Sequence, residues 1–289
     1  MTFSRLALLL LAIAVLGSNA FAQEKVRFPS LDADLTQGAP TQIDGLLYRP
    51  DGYAFAPAIV LAHGCGGLYG RDGVPTPRHD EWAWRFQRLG YVVLHIDSFT
   101  PRGLREICSR KDRTISPERE RARDAYGALV YLQSLPFVQP DRIGLLGWSN
   151  GGSTTLYSVD VAFSGRPAGL RHDFRAAVAF YPGCRAPLKR KAAWSTTIPL
   201  LVLIGEADDW TPAQTCRDLV KQARALKSPI DIYVYPGAYH GFDAPDSSLH
   251  VIHNVATTAS GTATIGTDPA ARADAIERVP AFFARHLKP

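Results

Sequence analysis

Short, continuous apolar runs alternate along this chain with longer segments whose apolar residues recur at helical spacing. The runs are Ala58 to Ala62, Tyr91 to Ile96 (with His95 its one polar side chain besides Tyr91), Ile143 to Leu146, Ala176 to Tyr181 and Leu200 to Ile204, and Ile230 to Tyr235, which contains Asp231, reads as the last strand. Unbroken apolar runs of this length, bounded by turn residues, read as strands buried on both faces. Thr41 to Tyr48 alternates instead, which predicts an edge strand, and Pro50-Asp-Gly52 turns the chain after it. Between the runs, Glu81 to Leu89 reads as a helix stopped by Gly90. Ser116-Pro117-Glu118 opens a second helix, with Ala122, Ala125, Leu129 and Leu132 on one face. Thr211-Pro212 starts a helix to about Leu226, and Asp268-Pro269 caps a C-terminal helix that Pro280 is expected to kink or split. Leu68 to Arg78 and Asp246 to Thr267 read as loops, and Asp97 to Ser116 as an irregular excursion. Strand and helix in alternation predict an α/β fold, a mainly parallel sheet with helices on both faces. No repeat or composition shift divides the chain, so a single domain is expected.

The N-terminus departs from this pattern. Arg5 precedes an apolar run from Leu6 to Leu16, and small residues follow at Ala20 and Ala22. This is the layout of a secretory signal peptide over 1–22, leaving a domain over 23–289. The run is too short to span a bilayer. A secreted or periplasmic protein, with no membrane association after cleavage, is the expectation.

The net charge of +5 is modest and dispersed. Its densest basic cluster, Arg102, Arg105, Arg110, Lys111 and Arg113, is interleaved with Asp112 and followed by Glu118 and Glu120. That is a solvated surface rather than a nucleic-acid face. The cysteines Cys65, Cys108, Cys184 and Cys216 contain no CxxC pair, so no metal site is expected. Export favours disulfides. Of the three possible pairings, Cys65–Cys108 and Cys184–Cys216 each join segments that follow strands consecutive in sequence. Free buried thiols are the alternative.

The candidate chemistry lies where strands end, as it does in sheets of this type. The run Ile143 to Leu146 leads into Gly147-Trp-Ser149-Asn-Gly151, followed by helix-compatible residues from Gly152. Gly-x-Ser-x-Gly between a strand and a helix is a nucleophile elbow: the strained turn lifts the serine hydroxyl out of the backbone. Leu200 to Ile204 runs into Gly205-Glu-Ala-Asp208, and Ile230 to Tyr235 into a segment ending Tyr239-His240-Gly-Phe242. Serine, acid and histidine follow the chain order of an α/β-hydrolase triad. Ser149 would be the nucleophile, His240 its base and Asp208 the group that orients the imidazole. Asp209 is the alternative acid. The Asn150 N–H would donate one oxyanion bond, and the Cys65 N–H, in His63-Gly-Cys65-Gly-Gly67, a second. His63 reads as structural, bonding nearby backbone, and the remaining histidines as packing or surface residues. Trp148, Trp210 and Phe242 flank the catalytic positions and could line an acyl pocket or pack the core.

Gly147-Trp-Ser149-Asn-Gly-Gly152, Gly205-Glu-Ala-Asp208 with Pro212, and Tyr239-His240-Gly-Phe242 together resemble the dienelactone hydrolase family. The resemblance extends to His63-Gly-Cys-Gly-Gly67 and to the ending Ala281-Phe-Phe-Ala-Arg-His-Leu287. It implies an α/β-hydrolase fold, with an eight-stranded, mostly parallel sheet and the triad Ser149, Asp208, His240. The namesake enzymes use a cysteine nucleophile and are cytoplasmic, whereas this chain has Ser149 and an export signal. Asp97-Ser-Phe-Thr-Pro-Arg102 resembles a segment of exported members, which makes Arg102 a candidate contact for a substrate carboxylate, with a structural ion pair as the other reading. The resulting expectation is an exported serine hydrolase acting on a small-molecule ester or lactone without a cofactor. The alternatives are a peptidase or acyltransferase on the same triad and a ligand-binding protein without catalysis. The loops Leu68 to Arg78 and Asp246 to Thr267 would set substrate preference.

Overall fold

The computed structural model describes residues 23–288. The expected signal peptide, 1–22, lies outside the described residues. In chain order the elements are β1 (Gln23–Pro29), β2 (Gln42–Tyr48), β3 (Ala56–Ala62), α1 (Pro77–Arg88) and β4 (Val92–Asp97). A 3-10 turn (Thr100–Arg102) and a π turn (Pro117–Arg121) lead into α2 (Ala122–Ser134). Then come β5 (Val138–Trp148), α3 (Asn150–Ser158), β6 (Ala176–Phe180), α4 (Arg185–Leu188), β7 (Leu200–Gly205), α5 (Ala213–Ala225) and β8 (Ile230–Tyr235). A hairpin of β9 (His250–His253) and β10 (Thr262–Ile265) precedes α6 (Pro269–Leu287).

The main sheet has eight strands in the order β1-β2-β4-β3-β5-β6-β7-β8. From β4 to β8 all neighbours are parallel, and β2 and β1 add antiparallel pairs at one edge. β3, β4, β6 and β7 are fully buried, as is β5 over 143–148, in keeping with their largely apolar runs. The two faces can be assigned from β5. A Cβ on Gly144 would meet the Phe283 ring of α6, while one on Gly147 would meet the Gly151 backbone of α3. Gly144 and Gly147 are of opposite parity on one strand, so α6 and α3 cover opposite faces. Phe86 of α1 packs on Phe283 with ring centroids 5.7 Å apart, which puts α1 on the α6 side.

Three expectations are corrected. The strand over 42–48 is not the edge, because β1 pairs with it along its whole length. β1 carries Glu24, Lys25 and Arg27 and buries only Phe28, so it holds by backbone pairing, and its charge protects a free edge. Pro280 does not split α6, which runs unbroken because Ala275, Val279, Phe283 and Leu287 are all buried on the core side. That packing outweighs one lost hydrogen bond. The segment 246–267 contains the β9–β10 hairpin. Both helix caps behave as read: Ser116 accepts from the Arg119 N–H, although that turn is π, and Asp268 accepts from the Ala271 N–H.

Candidate active site

β5 enters the site through a turn that its glycines make possible. Ser149 sits at φ 53°, ψ −113°, a strained conformation for a residue with a Cβ. A Cβ on Gly147 would lie 2.1 Å from the Gly151 carbonyl oxygen, and one on Gly151 2.0 Å from the Ala62 oxygen. Strand, helix and the neighbouring strand β3 therefore approach closely only with glycine at both positions. The Ser149 N–H is held by the Phe180 carbonyl at 2.9 Å, at the end of β6. The result is a serine hydroxyl projecting from a turn fixed on both sides.

β7 and β8 deliver the partners. His240 Nε2 lies 2.9 Å from Ser149 Oγ, and His240 Nδ1 lies 2.8 Å from Asp208 Oδ2. A carboxylate can only accept, so Nδ1 carries the proton, and Nε2 is left as the acceptor that faces the serine. Asp208 is itself held by its own turn: Oδ1 accepts from the Trp210 and Thr211 N–H groups at 2.9 and 2.8 Å. Thr211 Oγ1 also reaches Asp208 Oδ2, at 2.9 Å. His240 and Asp208 are both buried, with the His240 ring between Tyr181 (4.4 Å) and Trp210 (4.7 Å). From the sequence Thr211 reads only as a helix start, although Asp208 followed by Thr211 is an Asx-turn pattern that could have flagged its place beside the carboxylate.

The loop after β3 abuts Ser149. A Cβ on Gly64 would lie 3.6 Å from Ser149 Cβ. The Cys65 and Asn150 N–H groups have no acceptor among the described residues, and both residues line a cavity of about 540 Å³ with Ser149. His63 holds this loop from beneath: its Nε2 accepts from the Ser98 N–H, so its Nδ1 is the donor to the Gly64 carbonyl at 2.7 Å. Burial, together with the nearby Arg121 cation, keeps its pKa well below the ordinary histidine value, consistent with this neutral tautomer. Cys65 is joined to Cys108, and Cys184 to Cys216. Cys65 and Cys184 stand on the cavity wall, so each bridge ties part of the site to a neighbouring segment.

The segment after β8 covers the cavity. Asp209 accepts from the Thr264 N–H and hydroxyl at 2.8 and 2.7 Å, so it anchors β10 and does not serve His240. Trp210 Nε1 donates to Thr257 Oγ1 at 2.8 Å, and the Ala256 N–H to the Cys108 carbonyl at 2.9 Å. Trp210, Thr257, Thr258, Arg113 and Arg185 are among the wall residues. The loop over 68–78 does not wall this cavity: Tyr69, Gly70, Arg71 and Gly73 line a separate depression beside β1 and β2.

Three of the proposed pocket residues lie elsewhere. Trp148 and Phe242 are wholly buried core residues. Trp148 Nε1 donates to Asp243 Oδ2 at 2.8 Å, and Asp243 also receives Trp82 Nε1 at 3.0 Å and Tyr181 Oη at 2.6 Å. This buried carboxylate, unremarked in the sequence, ties the turn beyond His240 to the aromatic core. Arg102 bonds Asp32 and Asp124, each at 2.8 Å, and the Ser98 carbonyl; it does not line the cavity. Its guanidinium is used up by two buried carboxylates. Among the described residues, no cluster of three or more His, Cys, Asp or Glu is placed to hold a metal, and no helix is long and apolar enough to cross a membrane.

The dienelactone hydrolase family model matches residues 43–287. A probable 2-oxo-3-(5-oxofuran-2-ylidene)propanoate lactonase from Bradyrhizobium sp. is 25% identical over 169 residues, covering 54% of this chain and 63% of the relative. The chain thus spans less than two thirds of that relative. Among solved structures, a dienelactone hydrolase-like promiscuous phosphotriesterase, P91, from metagenomic libraries superposes with a TM-score of 0.62 at 19% identity, covering 92% of this chain and 99% of the other. A thermophilic esterase from Thermogutta terrifontis gives a TM-score of 0.62 at 16% identity, with 91% and 93% covered. At these identities the structures establish a shared α/β-hydrolase fold.

Proposed function

The chain belongs to the dienelactone hydrolase family, and from that premise we propose that it is an exported serine hydrolase of a small carboxylic ester or lactone. One observation carries this reading: Ser149, on a strained turn, meets His240 Nε2 at 2.9 Å, while Asp208 holds Nδ1 at 2.8 Å. His240 takes the hydroxyl proton as Ser149 Oγ attacks the ester carbonyl. The tetrahedral oxyanion is met by the backbone N–H groups of Cys65 and Asn150. His240 then returns its proton to the leaving alkoxide, which departs and leaves an acyl-Ser149. Water, deprotonated by His240, attacks that acyl carbon, and Ser149 leaves with the proton as the acid is released. A lactone opens by the same steps, with its alcohol still tethered. A cavity of about 540 Å³ is in the range of small-molecule sites. The two disulfides support an oxidising compartment, secreted or periplasmic.

The test is turnover of p-nitrophenyl acetate and butyrate by the protein beside Ser149→Ala and Asp208→Asn. The expected result is loss of at least about 1,000-fold in kcat for both variants with folding intact. Equal turnover by the wild type and Ser149→Ala would sink the reading and favour ligand binding without catalysis.

A further inference from the structure

Arg121, the last residue of the π turn before α2, is completely buried and takes no part in the chemistry described above. Its Nη2 donates to the His63 carbonyl at 2.7 Å, and its Nη1 donates to Asn150 Oδ1. Its Nε has no hydrogen-bond partner among the described residues, and its guanidinium lies over the Phe99 ring, 4.9 Å from the centroid. Buried cations are ordinarily paired with carboxylates. Among the described residues Arg121 has none within ion-pair distance. Asp124, the neighbour on α2, is already bonded to Arg102 and Ser30, and Asp97 is bonded to backbone N–H groups at the end of β4. Burial lowers the Arg121 pKa to about 9, partly offset by those two carboxylates, so the charge persists at neutral pH.

The two oxygens it does bind belong to the two segments that approach Ser149 with free N–H groups. His63 opens the turn that leads through Gly64 to Cys65, and Asn150 is the residue after the nucleophile. These segments leave the neighbouring strands β3 and β5, whose ladder ends at Ala62 and Gly147, and beyond it no backbone hydrogen bond links one to the other among the described residues. The guanidinium is a rigid planar fork, so bonding one segment from each Nη sets their separation. π turns are uncommon and recur at functional sites, and here the turn presents Arg121 to both loops.

We propose that Arg121 is a positioning residue for the oxyanion hole: its guanidinium spaces the Asn150 and Cys65 N–H donors and places a positive charge behind them. This rests on the serine hydrolase reading. An oxyanion formed in front of the two donors would feel a cation that no directly bonded anion neutralises, in a water-poor interior. The ester ground state carries little charge there, so the benefit falls on the transition state rather than on binding.

The experiment compares Arg121→Met, Arg121→Lys and Asn150→Ala with the wild type on p-nitrophenyl butyrate. Active sites are counted by fluorophosphonate titration, and inhibition is measured with an aryl trifluoromethyl ketone, whose serine adduct carries the oxyanion, and with butyrate. For Arg121→Met the expected result is kcat per titrated site down by about 100-fold, KM within about twofold, and ketone affinity falling in step with kcat/KM. Inhibition by butyrate, whose carboxylate spreads its charge over two oxygens and leaves only part of it at the donors, weakens far less than that by the ketone. Arg121→Lys keeps the charge but cannot fork, and recovers part of the loss. Asn150→Ala leaves Arg121 on His63 and loses about tenfold, so a poorly folding Arg121→Met does not leave the question open. A purely structural role predicts fewer titratable sites, each with wild-type kcat and ketone affinity, and that outcome overturns the proposal. Turnover that survives Ser149→Ala overturns the reading of the site itself, and the two failures are therefore distinguishable.

Discussion

Arg102→Met tests the structural role that its contacts give this residue. Arg102 Nη2 donates to Asp32 Oδ2 and Asp124 Oδ1 at 2.8 Å, and Nη1 to Asp124 Oδ2 at 2.9 Å and the Ser98 carbonyl at 2.8 Å. Asp32 and Asp124 are both fully buried. Methionine fills much of the volume but leaves two carboxylates without their cation. Asp32 keeps the Thr41 N–H and hydroxyl, and Asp124 keeps Ser30 Oγ, so neither is stripped bare. Removing one partner of a buried pair costs about 3–5 kcal/mol. For a chain of this length 1 kcal/mol is worth about 2 °C, so the melting midpoint should drop by about 6–10 °C. Calorimetry reads that drop, and turnover per titrated site should keep the wild-type kcat and KM. The loss should also depend on pH. Burial raises the Asp32 pKa, but the Thr41 and Arg102 bonds outweigh it and leave it below its usual value. Its stabilisation is therefore present above the unfolded carboxylate range and fades as pH falls through the lowered value. A melting midpoint within about 1 °C of wild type, with KM raised for carboxylate-bearing esters, would refute this reasoning.

Other consequences follow from buried groups. His63, His79 and His95 are all lowered in pKa chiefly by burial, His79 to about 3, so the unfolded chain takes up protons first as pH falls below about 6.5. Each should remove about 2 kcal/mol of stability between pH 7 and 5, read as a falling urea midpoint; a flat profile over that range would contradict it. The disulfides close loops of 43 and 32 residues, worth about 4 kcal/mol each in chain entropy. Dithiothreitol at moderate urea should therefore unfold a protein that stays folded when oxidised, and equal urea midpoints with and without reductant would refute this. Asp209→Ala releases Thr264 and with it the β10 anchor, so KM should change while kcat per titrated site stays within about threefold; unchanged KM would show that the hairpin does not shape the site.

The strands buried on both faces were legible because burial on both faces demands largely apolar runs, and the candidate triad positions because each lies within a few residues of a strand's end. β1 was not legible: Glu24, Lys25 and Arg27 give no apolar period, and its pairing with β2 rests on the backbone. The hairpin over the cavity was hidden because each of its strands is only four residues long and half polar. The flanking aromatics divided by depth. Trp210 reaches the cavity wall, while Trp148 and Phe242 point into the core, and spacing from Ser149 or His240 carries no information on depth. Arg102 and Arg121 look alike in a basic stretch. Their difference lies in what the fold places opposite each one, two carboxylates for Arg102 and two neutral oxygens for Arg121. Asp243 escaped notice because its partners Trp82, Trp148 and Tyr181 are distant along the chain.

The most direct test of the central claim is intact-mass spectrometry of the folded protein after treatment with a fluorophosphonate, with peptide mapping of any adduct. The account predicts one adduct per chain, on Ser149, absent in Ser149→Ala and slowed strongly in Asp208→Asn. A folded protein that forms no adduct, or forms it elsewhere while Ser149→Ala still turns over esters, would contradict it.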